Sequence, residues 1–236
     1  MGPVGRLVGS TARLGLELMC RIDKSDLHKI PPGGPLIIYS NHTGSVEVPI
    51  LFTQLMPRPV TGLAKIETWD DWFLGWLFDL WGAIPIRRGE ADMLAIRRAL
   101  GALEQGYILG ISPEGTRNKT GALIRGQPGI VMLALRSGAT LLPMANWGGE
   151  NFLSNLKRLR RTDFVLRVGE PFKLNTRGEP VTGAVRQKMV DEIMYRLAAL
   201  LPERYRGIYA DLAGASQDYL DFRVHAGSFP PAGRFT

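Results

Sequence analysis

Short apolar runs alternate with stretches of helical periodicity along most of the chain. The apolar runs are rich in Ile, Leu and Val and are bounded by glycine, proline or polar residues, which is the pattern of buried strands. Six strands are predicted on this basis: 35–40, 59–65, 82–86, 107–112, 139–145 and 163–169.

Three helices are predicted between and after the strands, over residues 91–106, 127–138 and 185–201. In the first of them the apolar residues recur every three or four positions, which places them on one face. Such an alternation is typical of an α/β domain with a largely parallel central sheet flanked by helices. Ligands of these sheets bind at the carboxyl ends of the strands, so the residues that follow each strand are the candidates for a site.

The N-terminal residues 1–30 predict an amphipathic helical segment. Charged residues interrupt its apolar runs before they reach the length of a secretory signal. On a helix, one apolar stripe forms from Leu7, Leu14, Leu18 and Ile22. This stripe fits a helix in a membrane interface as well as one packed on a core, and the pattern leaves both open.

A second apolar stretch, residues 72–86, is rich in tryptophan but contains Asp79 and two glycines. It falls short of the roughly 20 apolar residues of a spanning helix, so contact with one membrane surface is the expectation. The predicted organisation is the helical segment 1–30, one domain over 31–212, and a Gly/Pro-rich tail over 213–236 that is partly disordered.

Composition narrows the choice of partner. The net charge is +7 and the pI is about 9.8, which favours an anionic partner: nucleic acid, a membrane surface or a phosphorylated substrate. No nucleic-acid-binding module is present, and the aromatic residues cluster with apolar rather than basic ones, so nucleic acid is disfavoured. The single cysteine, Cys20, excludes an internal disulfide, and the three histidines lie at unrelated spacings that predict no metal site.

Polar residues follow the first predicted strand. His42 and Glu47 are five positions apart, which on a regular helix would point them in different directions. A turn at Gly44 would bring them together, and Glu47 would then fix the tautomer of a histidine acting as a base. The alternative is an ordinary loop histidine that caps a helix.

Two other strand ends carry charge. Arg87 and Arg88 follow the third strand, and Glu114-Gly115-Thr116-Arg117 follows the fourth. A guanidinium there is suited to bind phosphate, although the same residues could form a turn with a surface ion pair. Three polar strand ends together favour a site.

These blocks, in this order, resemble the glycerolipid acyltransferase family, typified by bacterial 1-acyl-glycerol-3-phosphate acyltransferases. The resemblance covers about residues 35–170 and includes Gly82-x-Ile84-x-Ile86-x-Arg88, Lys65 and Gly129. It implies that His42 is the general base and Glu47 its orienting carboxylate. It also implies a substrate site formed by Lys65, Arg88, Glu114, Gly115, Thr116 and Arg117. The family usually has aspartate where this chain has Glu47.

The resemblance predicts transfer of a fatty acyl group from a thioester to the free hydroxyl of lysophosphatidic acid, without a covalent acyl-enzyme. Another lysophospholipid or a lyso-aminolipid is an alternative acceptor, and an inactive lipid-binding protein is a third possibility. No cofactor is expected beyond the co-substrate, acyl-CoA or acyl carrier protein. The expected location is the cytoplasmic face of a phospholipid membrane, as a peripheral protein.

Overall fold

The computed structural model describes residues 3–44, 46–90, 92–118 and 120–223. Within these ranges seven strands form one sheet in the order β1-β7-β6-β2-β5-β3-β4, and two more form a separate pair. The strands are β1 (Cys20–Asp23), β2 (Leu36–Tyr39), β3 (Val60–Lys65), β4 (Ile84–Ile86), β5 (Ile108–Ile111), β6 (Thr140–Trp147), β7 (Thr162–Val168), β8 (Lys173–Leu174) and β9 (Leu220–Asp221). All six predicted strands are present.

The sheet is mostly parallel. Strands β2 to β6 run in one direction, β7 is antiparallel to β6, and β1 is parallel to β7. The four residues of β2 are all buried, as expected for a central strand covered on both faces. Because parallel strands end at the same edge, the loops after β2, β4 and β5 meet there.

Helices cover both faces of the sheet. The helices are α1 (Pro3–Met19), α2 (Glu47–Gln54), α3 (Trp72–Leu80), α4 (Met93–Glu104), α5 (Gly129–Ser137), α6 (Phe152–Lys157) and α7 (Gly183–Ala198). One apolar core joins the sheet to α1, α2, α3 and α6, and a second joins it to α4, α5 and α7. The three predicted helices are α4, α5 and α7, and the predicted α/β architecture is confirmed.

The N-terminal segment differs from the prediction. Helix α1 ends at Met19, and Cys20–Asp23 form the edge strand β1 beside β7. Ile22 therefore lies in the sheet and packs on the core instead of continuing the helical stripe. Four residues are too few to show a strand pattern, and pairing with β7 decides their conformation.

Residues 213–223, the first part of the predicted tail, pack on the domain. Tyr219 and Leu220 are buried, and β9 pairs with β8. The buried carboxylate of Glu192 accepts hydrogen bonds from the backbone N–H groups of Asp218 and Tyr219, at 2.9 and 3.0 Å. Residues 224–236 of the predicted tail lie outside the described residues.

Several helices on the face of α1 expose apolar side chains. In α1 these are Val4, Leu7, Leu14 and Leu18, while Leu16 is buried against the core. In α3 they are Trp72, Phe73, Leu74 and Trp76, with Trp72 81% exposed. In the part of the chain that the structure describes, no helix combines the length and apolar character needed to cross a bilayer.

Candidate active site

The loop after β2 brings His42 and Glu47 into contact. Helix α2 begins at Glu47, so the intervening residues form a turn before the helix. The Nδ1 atom of His42 lies 2.8 Å from Oε1 of Glu47, and the Gly44 N–H donates to the same oxygen at 2.6 Å. A Cβ atom on Gly44 would lie 3.2 Å from Glu47 Oε2, which leaves little room for a side chain at this position.

Glu47 is buried, with 1% of its surface exposed. Burial by itself raises the pKa of this carboxyl, but the hydrogen bonds from His42 and Gly44 outweigh it and the net pKa lies below the usual value. The carboxylate is therefore ionised at neutral pH and can only accept hydrogen bonds. It follows that the imidazole carries its proton on Nδ1, which leaves Nε2 free to accept one.

Glu114 lies behind the same loop. Its Oε1 accepts the His42 N–H and its Oε2 accepts the Ile124 N–H, both at 3.2 Å. Burial raises the pKa of this carboxyl, although the two backbone donors oppose the shift. Since both oxygens are bound to backbone groups, Glu114 positions the histidine loop, and its expected contact with substrate stays a prediction.

A pair of buried asparagines, neither of which was predicted as a site residue, also supports the loop. The side chain of Asn41 bonds to the backbone N–H and C=O of Asn146, at the end of β6. The side chain of Asn146 in turn donates to Ser40 Oγ at 2.8 Å and to the Asn41 carbonyl at 3.1 Å. Their position in the sequence could have indicated them, because both residues lie where a strand ends.

An apolar cavity of about 220 Å³ opens beside this loop. Its wall includes the polar residues Ser40, Asn41, His42 and Glu47 at one place and is otherwise largely apolar. The apolar wall includes Leu51, Phe52, Leu55, Leu63, Phe78 and Trp81. The rings of Phe52 and Trp81 stack with centroids 4.7 Å apart and join α2 to the end of α3. Such a cavity can hold an aliphatic chain whose polar end reaches His42.

Some of the other predicted substrate-binding residues line the cavity, and others are exposed at the surface. Arg88 and Gly115 line the cavity together with His42. Partial burial lowers the pKa of Arg88, and neighbouring Arg117 adds a smaller repulsion. Thr116 and Arg117 are exposed at the surface. Arg88 thus lies in the cavity wall, while the binding of an anion by Arg117 stays a prediction.

Lys65 is not among the residues that line the cavity. It is exposed at the end of β3, outside the cavity wall, and pairs with Glu67 at 3.0 Å. The cavity wall that includes the histidine pair does not include Lys65, and the contact of Lys65 with a substrate stays a prediction.

Comparison with known protein families shows which family the chain belongs to. The family model described as "Acyltransferase" matches residues 21–147, which is just over half of the chain. The chain belongs to the acyltransferase family. The matched residues of this family member include the histidine pair, Arg88, Glu114 and the end of β6.

Two curated relatives illustrate the range of this acyltransferase family. The chain is 29% identical over 125 residues to the 1-acyl-sn-glycerol-3-phosphate acyltransferase of Borreliella burgdorferi, covering 52% of this chain and 50% of that one. It is 30% identical over 115 residues to the lyso-ornithine lipid O-acyltransferase of Pseudomonas aeruginosa, covering 48% and 43%. The chain thus spans half or less of each of these two proteins.

A solved structure shares the fold. The crystal structure of the 1-acyl-sn-glycerophosphate acyltransferase PlsC of Thermotoga maritima matches with a TM-score of 0.62 at 20% identity, covering 84% of this chain and 78% of that one. At this identity the likeness supports the architecture of the sheet and its helices.

Proposed function

We propose that the protein transfers a fatty acyl group from a thioester to the free hydroxyl of lysophosphatidic acid, giving phosphatidic acid. The observation that carries this proposal is the His42–Glu47 pair in the wall of an apolar cavity that Arg88 also lines. A base, a cavity suited to an aliphatic chain and a cation suited to a phosphate thus lie next to one another. The relatives named for acylation of a lysophosphatidic acid or a lyso-aminolipid agree with that chemistry.

The proposed reaction is a direct transfer. The acceptor hydroxyl oxygen attacks the thioester carbonyl carbon while His42 Nε2 takes the hydroxyl proton. The carbon–sulfur bond then breaks, and the proton passes from His42 to the leaving sulfur, so that an ester and a thiol are formed. Glu47 stabilises the imidazolium between these two proton transfers, because it is ionised and bound to Nδ1.

The nature of the cavity wall supports the proposal that the acyl chain binds in the cavity. Its largely apolar wall would remove the chain from water, at about 0.8 kcal/mol per buried methylene group. The polar residues around His42 would then mark where the thioester carbonyl lies. Arg88 and Arg117 would bind the acceptor phosphate, since two nearby guanidiniums suit a doubly charged anion.

The exposed apolar residues support action at a membrane surface. The stripe of α1 and the aromatic residues of α3 belong to helices on one face of the sheet, the face that also supplies α2 to the cavity. An amphipathic helix with exposed leucines and a helix with exposed tryptophans are both typical of interfacial binding. The proposal includes a peripheral location on the cytoplasmic face of the membrane.

A second acceptor is favoured by one relative. The Pseudomonas aeruginosa protein is named for a lyso-ornithine lipid, whose acceptor hydroxyl belongs to an aminolipid without phosphate. The same base and cavity would serve that reaction, while Arg88 and Arg117 would then have no phosphate to bind. The acceptor that the protein acylates therefore distinguishes the two proposed reactions.

Mass spectrometry of the products tests both candidates. The purified protein is incubated with a panel of lyso-acceptors, each with acyl-CoA and with acylated acyl carrier protein as donor. We expect the largest product yield with lysophosphatidic acid and none from the His42→Ala variant. Preference for the aminolipid would select the second acceptor, and a single-turnover assay without product from any acceptor would leave a lipid-binding protein.

A further inference from the structure

Helix α6 and the residues that join it to β7 expose leucines and basic residues side by side. Leu153, Leu156 and Leu159 are exposed, and Leu159 is 95% exposed. The basic residues among them are Lys157, Arg158, Arg160 and Arg161. Neither the histidine pair nor the cavity uses this segment, which is called here the α6–β7 loop and comprises residues 152–161.

The backbone of the loop is well defined. The Leu159 N–H donates to the Leu156 carbonyl at 3.0 Å, and the Arg160 N–H donates to the Asn155 carbonyl at 2.9 Å. These two bonds end the helix in a Schellman motif, in which the left-handed position is usually glycine. Here Leu159 occupies it with φ +52°. A leucine at this position is strained and, in water, leaves its side chain unpacked.

Chain direction places the loop at the edge of the sheet that carries His42. Trp147, the last residue of β6, pairs with Val165 of the antiparallel strand β7, so β7 begins beyond the end of β6. Strand β1 is in register with β7, with Cys20 opposite Thr162, so the C-terminal end of α1 reaches the same edge. The Arg161 guanidinium joins the two by donating to the carbonyls of Glu17 and Cys20, at 2.6 and 2.7 Å.

The charges of the loop are available for a partner. Lys157, Arg158 and Arg160 are exposed, and none of them has a carboxylate within salt-bridge distance among the described residues. Basic side chains that surround exposed leucines complement an anionic bilayer, because the leucines enter the hydrocarbon while the cations remain with the headgroups. A soluble anion would use the charges and leave the leucines in water.

We propose that the α6–β7 loop is an anchor for anionic lipid, with Leu159 inserted into the bilayer and Lys157, Arg158 and Arg160 bound to headgroups. With the stripe of α1, it would hold the edge that carries His42 against the membrane. The inference rests on the proposed action at a membrane, and it is tested by binding and not by turnover.

Binding to vesicles of phosphatidylcholine, alone or mixed with phosphatidylglycerol, tests the charges. The variant with Lys157→Gln, Arg158→Gln and Arg160→Gln should bind the anionic vesicles more weakly by a factor on the order of 100 at low salt. The matched control carries Arg97→Gln, Arg98→Gln and Arg186→Gln, three exposed arginines on helices of the opposite face, and should bind within about twofold of wild type. Equal binding by the two triple variants would overturn the inference.

Leu159→Gly tests insertion separately from stability. Glycine adopts the left-handed conformation without strain, so the melting temperature should stay unchanged or rise. Vesicle binding should nevertheless fall about tenfold, because the inserted side chain is gone. Ile208→Ala, at an exposed position on the other face, is the control and should bind as wild type does. Wild-type binding by Leu159→Gly would overturn the insertion.

Two further outcomes separate this inference from the proposed function. A raised KM for the donor in the first triple variant, measured in detergent, would assign the loop to the donor and overturn the lipid anchor. The expected binding pattern in a protein without acyl transfer would support the anchor and overturn the proposed function.

Discussion

The side chain of Asn41 holds the backbone of Asn146, a residue 105 positions away in the sequence. Asn41 Nδ2 donates to the Asn146 carbonyl at 2.8 Å, and Asn41 Oδ1 accepts the Asn146 N–H at 2.9 Å. Because Asn41 directly precedes His42, this double bond fixes the end of β2 against the end of β6. The position of the base therefore depends on a buried amide that has no direct part in the proposed chemistry.

Asn41→Ala should reduce both stability and turnover. Two buried backbone groups lose their partners, which costs about 2 to 4 kcal/mol of the free energy of unfolding. We expect kcat to fall at least tenfold while the acceptor KM changes little, since the base is displaced and the phosphate site is not. Urea unfolding and steady-state kinetics measure the two effects. An unchanged kcat would contradict the positioning role.

The carboxylate at position 47 should matter through its charge. In Glu47→Gln the amide oxygen can still accept from His42 and Gly44, but the charge that stabilises the imidazolium is lost, so kcat should fall about 10²-fold. Glu47→Asp keeps the charge but stops about 1 Å short, a displacement that costs up to 10²-fold. The expected order of kcat is glutamate, aspartate, glutamine. Equal rates for glutamate and glutamine would show that the charge does not serve the base.

Arg88→Ala and Arg117→Ala should weaken binding of an acceptor that carries phosphate. A lost guanidinium–phosphate contact affects ground state and transition state alike, so the acceptor KM should rise about 10- to 100-fold and kcat should change little. Arg87→Ala, next to Arg88 but outside the cavity wall, is the matched control. Steady-state kinetics with lysophosphatidic acid as the acceptor measure KM and kcat. A rise in the donor KM alone would assign the arginines to the donor.

The two buried glutamates should affect the pH dependence of stability in opposite directions. The pKa of Glu47 is lowered, so its contribution is present above the pKa of the unfolded chain and is lost as the pH falls through the lower, folded value. The pKa of Glu114 is raised by burial, so the native state holds its proton longer and stability falls as the pH rises through that window.

Variants that lack the carboxyl group of Glu47 or of Glu114 test these two opposite pH dependences of stability. The free energy of unfolding of Glu114→Gln relative to wild type should increase as the pH rises from about 4 towards neutral, while that of Glu47→Gln should decrease as the pH rises from acid values to about 4. Urea unfolding at a series of pH values measures both. The slopes are informative even though each amide also changes a hydrogen bond, because that change does not titrate. Parallel slopes would contradict the opposite shifts.

The exposed stripe of α1 should contribute to reversible membrane attachment. Leu14→Asp with Leu18→Asp places charge in the interface, so the protein should be found largely in the supernatant after sedimentation with membranes. Both positions are exposed, so the melting temperature should hardly change. High salt should release part of the wild-type protein and alkaline carbonate the rest. Ile208→Asp is the control, and release of wild type by detergent alone would contradict peripheral attachment.

The sequence alone determined the central architecture and the histidine pair. Buried parallel strands are continuous apolar runs, so 35–40 and 107–112 could be recognised without knowledge of their neighbours. The turn at Gly44 and the contact from His42 to Glu47 are local, so the sequence could offer this contact as one of two interpretations, and the structure shows it at 2.8 Å.

Only the tertiary structure decided what depends on distant residues. The pairing of Asn41 with Asn146 and the inward direction of Glu114 both arise from packing between segments remote in sequence. Strand β1 was hidden for the same reason, since four residues gain their conformation from the neighbouring strand. The sequence likewise left two roles open for the leucine stripe of α1. Which side of that helix the core covers, and hence which leucines face outward, is settled by the packing of Leu16.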